Sequence, residues 1–96
     1  MAVVKGVTKS GIKYQLETKI KDDARLLYLL TKAQNSKEPL GQGKAVMDLL
    51  TLIFGSDEGV YTFMNEVADK HKGVCGVKDM LSELQEMLDS LNAKNS

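Results

Sequence analysis

The chain contains 96 residues, and its 13 basic residues balance its 13 acidic residues. Without a surplus of positive charge, it has no general affinity for the phosphates of nucleic acid. No stretch reaches the ~18 consecutive apolar residues of a membrane span, and the first residues lack the apolar core of a signal peptide. The single cysteine, Cys75, leaves no partner for an internal disulfide and fits a reducing compartment. We therefore expect one cytoplasmic domain over residues 1–96, with neither nucleic acid nor a membrane as its partner.

Residues 3–21 are predicted to form a β-hairpin. Apolar and polar residues alternate in the second half of this segment, as in a strand with one covered face, and the apolar ones are Ile12, Tyr14 and Leu16. Val3 and Val7 are expected to supply the facing apolar side from an earlier strand. A Lys-Ser-Gly sequence ending at Gly11 indicates the turn, because glycine can adopt the positive φ that tight hairpins need. Since an isolated hairpin is barely stable in water, we expect this one to pack against helices.

Two helices are predicted to follow the hairpin. The first begins at Asp22 or Asp23, because a carboxylate there caps the helix and suits its positive end. Its core stripe, widened by Leu27, consists of Leu26, Leu30 and Ala33. A polar connection leads to the second helix, over roughly 40–54, which Gly55 ends as a left-handed C-cap. Four apolar residues share one face of the second helix: Val46, Leu49, Leu50 and Ile53. Because other apolar residues lie off that face, we expect this helix at the centre of a bundle.

Two further helices complete the predicted fold. Ser56 is expected to cap the third, whose apolar face consists of Val60, Phe63, Met64, Val67, Ala68 and His71. The fourth runs from about Val77 to Asn92, with a stripe formed by Val77, Met80, Leu81, Leu84, Met87, Leu88 and Leu91. Two heptads are too few for an independent coiled coil, so this stripe should pack on the bundle or pair with a second copy of the chain. The predicted fold is mainly α, a bundle of about four helices over residues 22–92 with a short N-terminal β-hairpin and a disordered tail over 93–96.

The sequence offers little for catalysis or cofactor binding. His71 and Cys75 are four residues apart, but they are the only His and Cys in the chain, whereas structural zinc takes four protein ligands. The stretch from Gly41 to Lys44 departs from a phosphate-binding loop, which needs four residues between its glycines and Ser or Thr after the lysine. Only one histidine is present to serve as a base, and so small a bundle has little room for a closed pocket. We therefore predict no enzyme activity, catalytic residue, cofactor or metal.

Apolar residues that point away from the predicted core stripes are the candidates for partner binding: Tyr28, Leu29, Met47, Leu52 and Phe54. Four internal methionines also fall on predicted helices: Met47, Met64, Met80 and Met87. Methionine adapts to varied helical partners, but it also fills gaps in a core. The pattern favours a small interaction module, and it leaves open whether these residues form a groove, a self-association face or part of the core.

Several features recur in a recognisable order. A strand segment from Gly11 to Leu16 leads into a leucine-rich helix that opens with two aspartates at residues 22–23. An acidic-Pro-Leu sequence at 38–40 opens an apolar helix that ends in Leu-Ile-Phe-Gly at 52–55. A helix with an acidic start, a glycine break and a final amphipathic helix complete the pattern. In this order the features resemble those of the small tail assembly chaperones of long-tailed phages and prophages of Gram-positive bacteria. Gly41, Gly43 and the loop at 73–76 depart from the pattern of that family.

The resemblance implies a non-enzymatic chaperone that binds the long helical tape measure protein, keeps it soluble and helps to recruit tail tube subunits. Its expected place is the cytoplasm of the bacterial host, and it is not expected in the mature virion. A neutral helical surface can shield apolar stripes without sequence specificity. Two alternatives stay open: a small structural protein of the tail or head–tail joint, and a small helical DNA-binding regulator. Against the regulator, the last helix and the tail that follows it carry two lysines and four acidic residues.

Overall fold

The computed structural model describes residues 2–95, with side chains described for residues 2–91. Two strands, β1 (Val3–Val7) and β2 (Lys13–Glu17), form an N-terminal hairpin that a 3-10 helix at Thr18–Asp22 follows. Four helices complete the described chain: α1 (Ala24–Asn35), α2 (Pro39–Phe54), α3 (Asp57–Lys70) and α4 (Val77–Asn95). The predicted mainly α bundle with a minor hairpin is confirmed. The predicted tail over 93–96 lies beyond the side chains that the structure describes.

The hairpin has the predicted turn but packs on the helices through a different valine. β1 and β2 pair antiparallel with Val4 opposite Leu16, and Gly11 in the turn has a φ of 102°. The prediction that Val3 and Val7 face the core is wrong, because they are 40% and 59% exposed while Val4 is buried. Successive side chains of a strand point to opposite faces of the sheet. Because Val4 faces the core, Val3 and Val7 face solvent. β2 also ends earlier than predicted, since the residues from 18 onward form the 3-10 helix.

Capping residues set the helix boundaries. The Asp23 side chain caps α1 by accepting a hydrogen bond from the backbone N–H of Arg25 at 2.9 Å. Gly55 ends α2 in the left-handed conformation with a φ of 74°. Ser56 then caps α3, because its hydroxyl accepts a hydrogen bond from the backbone N–H of Gly59 at 3.1 Å. The predicted caps at residues 23, 55 and 56 are confirmed.

α2 lies at the centre of the bundle, in contact with α1, α3 and α4. It contributes Ala45, Val46, Leu49 and Leu50 to the core, and α4 contributes Met80, Leu84, Met87, Leu88 and Leu91. Phe63 and Val67 of α3 and Val4, Ile12 and Leu16 of the hairpin region join them. Each such large side chain stabilises the fold by ~1.5–3 kcal/mol relative to leaving it exposed. Two of the four internal methionines therefore serve the core fully, and the other two pack partly against it.

α1 is an outer helix with a narrow buried face. Leu26 and Ala33 are buried, and Gln34 Nε2 donates a hydrogen bond to Gln85 Oε1 of α4 at 2.6 Å. The prediction that Leu27 widens the core stripe is wrong, because this side chain is 69% exposed. α1 packs mainly on α2, so only a narrow stripe of it is covered. None of the described helices combines the length and apolar character needed to cross a bilayer.

Candidate interaction surfaces

A buried carboxylate, Glu83 of α4, joins the hairpin turn to the end of α3. Its Oε2 accepts hydrogen bonds from Ser10 Oγ at 2.7 Å and from His71 Nε2 at 2.9 Å. Glu83 is 5% exposed, and its Oε1 has no hydrogen-bond partner among the described residues. Burial raises the pKa of Glu83, but the hydrogen bonds from His71 and Ser10 outweigh it and hold the pKa below its ordinary value. Glu86, one turn on, accepts from the backbone N–H of Lys9 at 2.7 Å, so two glutamates of α4 hold the turn.

This polar cluster is arranged as a structural attachment. In a catalytic triad the histidine lies between the nucleophile and the acid. Here the carboxylate of Glu83 lies between Ser10 and His71, so the imidazole does not contact the serine hydroxyl as it does in a triad. His71 Nδ1 lies 3.6 Å from Asp79, another carboxylate. Among the described residues, no group of three or more His, Cys, Asp or Glu side chains is arranged to hold a metal ion.

Two other sequence candidates have ordinary structural surroundings. Cys75 is half-buried, and burial, together with the nearby charge of Asp79, raises the pKa of its thiol. A raised pKa makes the thiol a weak nucleophile at neutral pH. The stretch from Gly41 to Lys44 forms the first turns of α2, and Lys44 Nζ pairs with Asp48 Oδ2 at 3.0 Å. That lysine therefore belongs to a helix surface and faces a carboxylate within the same helix.

The outer side of α1 exposes two adjacent large apolar side chains. Leu27 is 69% exposed and Tyr28 is 63% exposed. They line a shallow groove with four other residues of the helix, Ala24, Thr31, Lys32 and Asn35, and we call these six residues the α1 face. Lys32 Nζ lies 5.8 Å from the centre of the Tyr28 ring, within the range of a cation–π contact. Leu27 also borders a second shallow groove with Leu30 of α1 and Leu88 of α4.

The five predicted partner-binding residues are spread over different parts of the structure. Tyr28 belongs to the α1 face, whereas Leu29 and Met47 are partly buried against the core. Leu52 and Phe54 are also partly buried, and both line a groove at the end of α2. Partner binding by these five residues stays a prediction. The sequence placed Leu27 in the core stripe and not on a partner-binding surface. Leu27 lies three residues before Leu30 and Leu26 lies four before it, and both spacings fit one face of a helix.

A third groove follows β2 on the side away from β1, and we call it the edge groove. Its first part has a volume of about 440 Å³. Residues of β2 (Lys13, Tyr14 and Gln15), of the end of α2 (Phe54) and of α3 (Glu58, Phe63 and Glu66) are among those that line it. The rings of Phe54 and Phe63 have centroids 5.1 Å apart and form an apolar floor. The groove continues past Gln15 and Phe54 toward Leu52 and Ile53. Chain segments far apart in the sequence form it, so periodicity alone gave no sign of it.

Comparisons with known proteins identify no relative of this chain. No protein-family model matches it, no curated protein matches it, and no solved structure matches it. A proposal for its function therefore rests on its surfaces and on the order of its sequence features.

Proposed function

We propose that this protein is a phage tail assembly chaperone that binds the tape measure protein and tail tube subunits and keeps the tape measure protein soluble during tail assembly. The α1 face is the observation that supports this proposal best. Leu27 and Tyr28 remain exposed on a helix whose other large apolar residues are at least partly covered. An amphipathic helix of a partner can place its apolar stripe on such a face.

The size of the α1 face suits weak, reversible binding. Full burial of Leu27 and Tyr28 would contribute ~1.5–3 kcal/mol each, before the cost of ordering the two partners is subtracted. A total of about 3–6 kcal/mol corresponds to a dissociation constant between roughly several millimolar and tens of micromolar for one site, and the ordering cost weakens it further. Several copies along one long helix would therefore cover its apolar surface and still be displaced when tube subunits arrive.

In this proposal the protein has no catalytic role and works in the cytoplasm of the bacterial host. The alternative of a structural tail or head–tail protein makes the opposite prediction for the finished particle. Protein composition of purified particles separates the two, because a chaperone is absent from them and a structural protein is present.

The direct test is co-expression with the tape measure protein, followed by sedimentation of the lysate and a pull-down. We expect the wild-type chain to raise the soluble fraction of the tape measure protein, and a double variant, Leu27→Asp with Tyr28→Asp, to lose this effect. Both side chains are exposed, so the variant should keep the circular dichroism spectrum of the wild type. Val74→Asp is the matched control, because Val74 is 66% exposed and lies outside the α1 face. Absence of any association with the wild-type chain would contradict the proposal, as would equal loss in the control.

A further inference from the structure

The outer edge of β2 carries backbone hydrogen-bonding groups that β1 does not use. Beyond one end of the ladder, the Thr18 N–H donates to the Ala2 carbonyl at 3.1 Å. At the other end, the Thr8 N–H donates to the Ile12 carbonyl at 2.9 Å. Hydrogen-bonded and non-hydrogen-bonded pairs alternate in an antiparallel ladder, so the register fixes every pair between these two. The backbone groups that point away from β1 are those of Lys13, Gln15 and Glu17.

These outward groups lie beside the edge groove. Gln15 lines both parts of the groove, and α3 forms the opposite wall of its first part. The last residue of α3, Lys70, reaches the hairpin turn, where a Cβ on Gly11 would lie 3.4 Å from Lys70 Nζ. An extended segment between β2 and α3 would place its backbone along Gln15 and alternate side chains against Phe54. The groove therefore offers an extended segment an unpaired strand edge on one side and an apolar floor below.

The α3 wall of the edge groove is acidic. Glu58 and Glu66 both line it, and neither forms an ion pair with another described side chain. Lys13 is the one cation among the described residues that line this first part of the groove. Unpaired carboxylates along an apolar floor favour a partner with basic side chains beside apolar ones.

We propose that the edge groove binds an extended peptide segment in which basic and apolar residues alternate, paired with β2 as a third strand. Apolar side chains of the segment contact Phe54, and basic side chains reach Glu58 and Glu66. A second copy of this chain is a poorer occupant, because its own β2 edge lies beside the same two carboxylates, Glu58 and Glu66, and would bring negative charge to an acidic wall. This proposal does not depend on the chaperone function, which concerns the α1 face.

The probe for this proposal is the synthetic peptide acetyl-Thr-Lys-Val-Lys-Val-Lys-Thr-amide, added to the isotope-labelled full chain. Amide hydrogen exchange measured by NMR should show fast exchange of the outward Gln15 amide in the free protein. At a peptide concentration of about ten times Kd, this exchange should slow about tenfold, since only the free fraction exchanges. The Leu16 amide, which points to β1, should be protected with or without peptide. No slowing at Gln15, or slowing confined to α1, would overturn the proposal.

Variants separate strand pairing from charge attraction. Gln15→Pro removes an N–H that β1 does not use, and proline is tolerated at such edge positions, so the hairpin should stay paired while peptide binding weakens at least about tenfold. Gln15→Thr retains the N–H and should bind like the wild type. Should the proline variant lose protection of Leu16, the double variant Glu58→Lys with Glu66→Lys decides, because it leaves the hairpin unchanged. That variant should bind the lysine peptide more weakly and prefer a matched glutamate peptide.

Two results would reject this assignment in the variant series. One is equal affinity of the wild type and the charge-reversed protein for the lysine peptide. The other is a peptide-free dimer, detected by sedimentation, in which the Gln15 amide is already protected, because a second copy would then occupy the edge.

Discussion

Replacing Ser10 with alanine tests whether the hairpin turn is attached to the bundle through Glu83. The Ser10 hydroxyl donates to Glu83 Oε2 at 2.7 Å, and the carboxylate is only 5% exposed. The variant therefore leaves a buried charge with one donor fewer. A hydrogen bond to a charged group contributes ~1.5–3 kcal/mol, so we expect Ser10→Ala to lower the free energy of unfolding by about 2 kcal/mol.

The same substitution should cost much less once the carboxylate is gone. In a Glu83→Leu background, the half-exposed Ser10 hydroxyl has no buried charge to satisfy, and its removal should cost under ~0.5 kcal/mol. The coupling energy between the two positions should therefore be about 1.5 kcal/mol. Glu83→Leu also removes Oε1, the buried oxygen without a described partner, which offsets part of its own cost.

Urea unfolding of the four proteins at pH 7, followed by far-UV circular dichroism, measures this coupling. Similar m-values across the series would show that each protein undergoes the same transition. If Ser10→Ala cost the same in both backgrounds, the reasoning would be refuted, because the serine would then act independently of Glu83.

Three further predictions concern acid stability, the core and glycine positions. Because the pKa of folded Glu83 lies below the ordinary 4.5, its stabilisation is present above that pH and is lost as pH falls through the folded pKa; urea titrations should show a smaller loss for Glu83→Gln. Leu50→Ala should cost ~2–5 kcal/mol in unfolding free energy because Leu50 is fully buried, whereas the exposed Leu27→Ala should cost under ~0.5 kcal/mol. Gly55→Ala should lower Tm and the free energy of unfolding, the latter by ~1–2 kcal/mol, because the φ of Gly55 is 74°. Gly43→Ala should raise the free energy of unfolding by ~0.5–1 kcal/mol, because a Cβ at this position of α2 meets open space. Calorimetry of both variants measures the sign of each change.

The parts of the fold that local chemistry determines could be predicted from the sequence. Gly55 and Ser56 specify the end of one helix and the start of the next through the conformation and hydrogen bond of single residues. The spacing of Val46, Leu49 and Leu50 is likewise a property of one helix, and all three are fully buried. These predictions required no knowledge of which elements meet in space.

Features that depend on distant contacts could not be predicted in this way. Glu83 flanks the apolar stripe of α4, and its burial depends on two distant contacts, the hairpin turn at Ser10, 73 residues away in the sequence, and His71. On β1, valines occupy both faces, so only the register with β2 selects Val4 for the core. The five predicted partner-binding residues likewise lie on different parts of the structure. Tyr28 is exposed and Phe54 is partly buried because of how the helices pack, which the sequence pattern does not specify.

The connection between α2 and α3 is short and conformationally constrained. It consists of Gly55 and Ser56, one committed to a left-handed backbone and the other to its capping bond. Phe54 directly precedes this connection, and Phe63 lies two turns beyond it. The conformation of this two-residue connection therefore sets the distance between the two rings. A variant with one residue inserted in this connection would alter the width of the edge groove without changing any side chain that lines it.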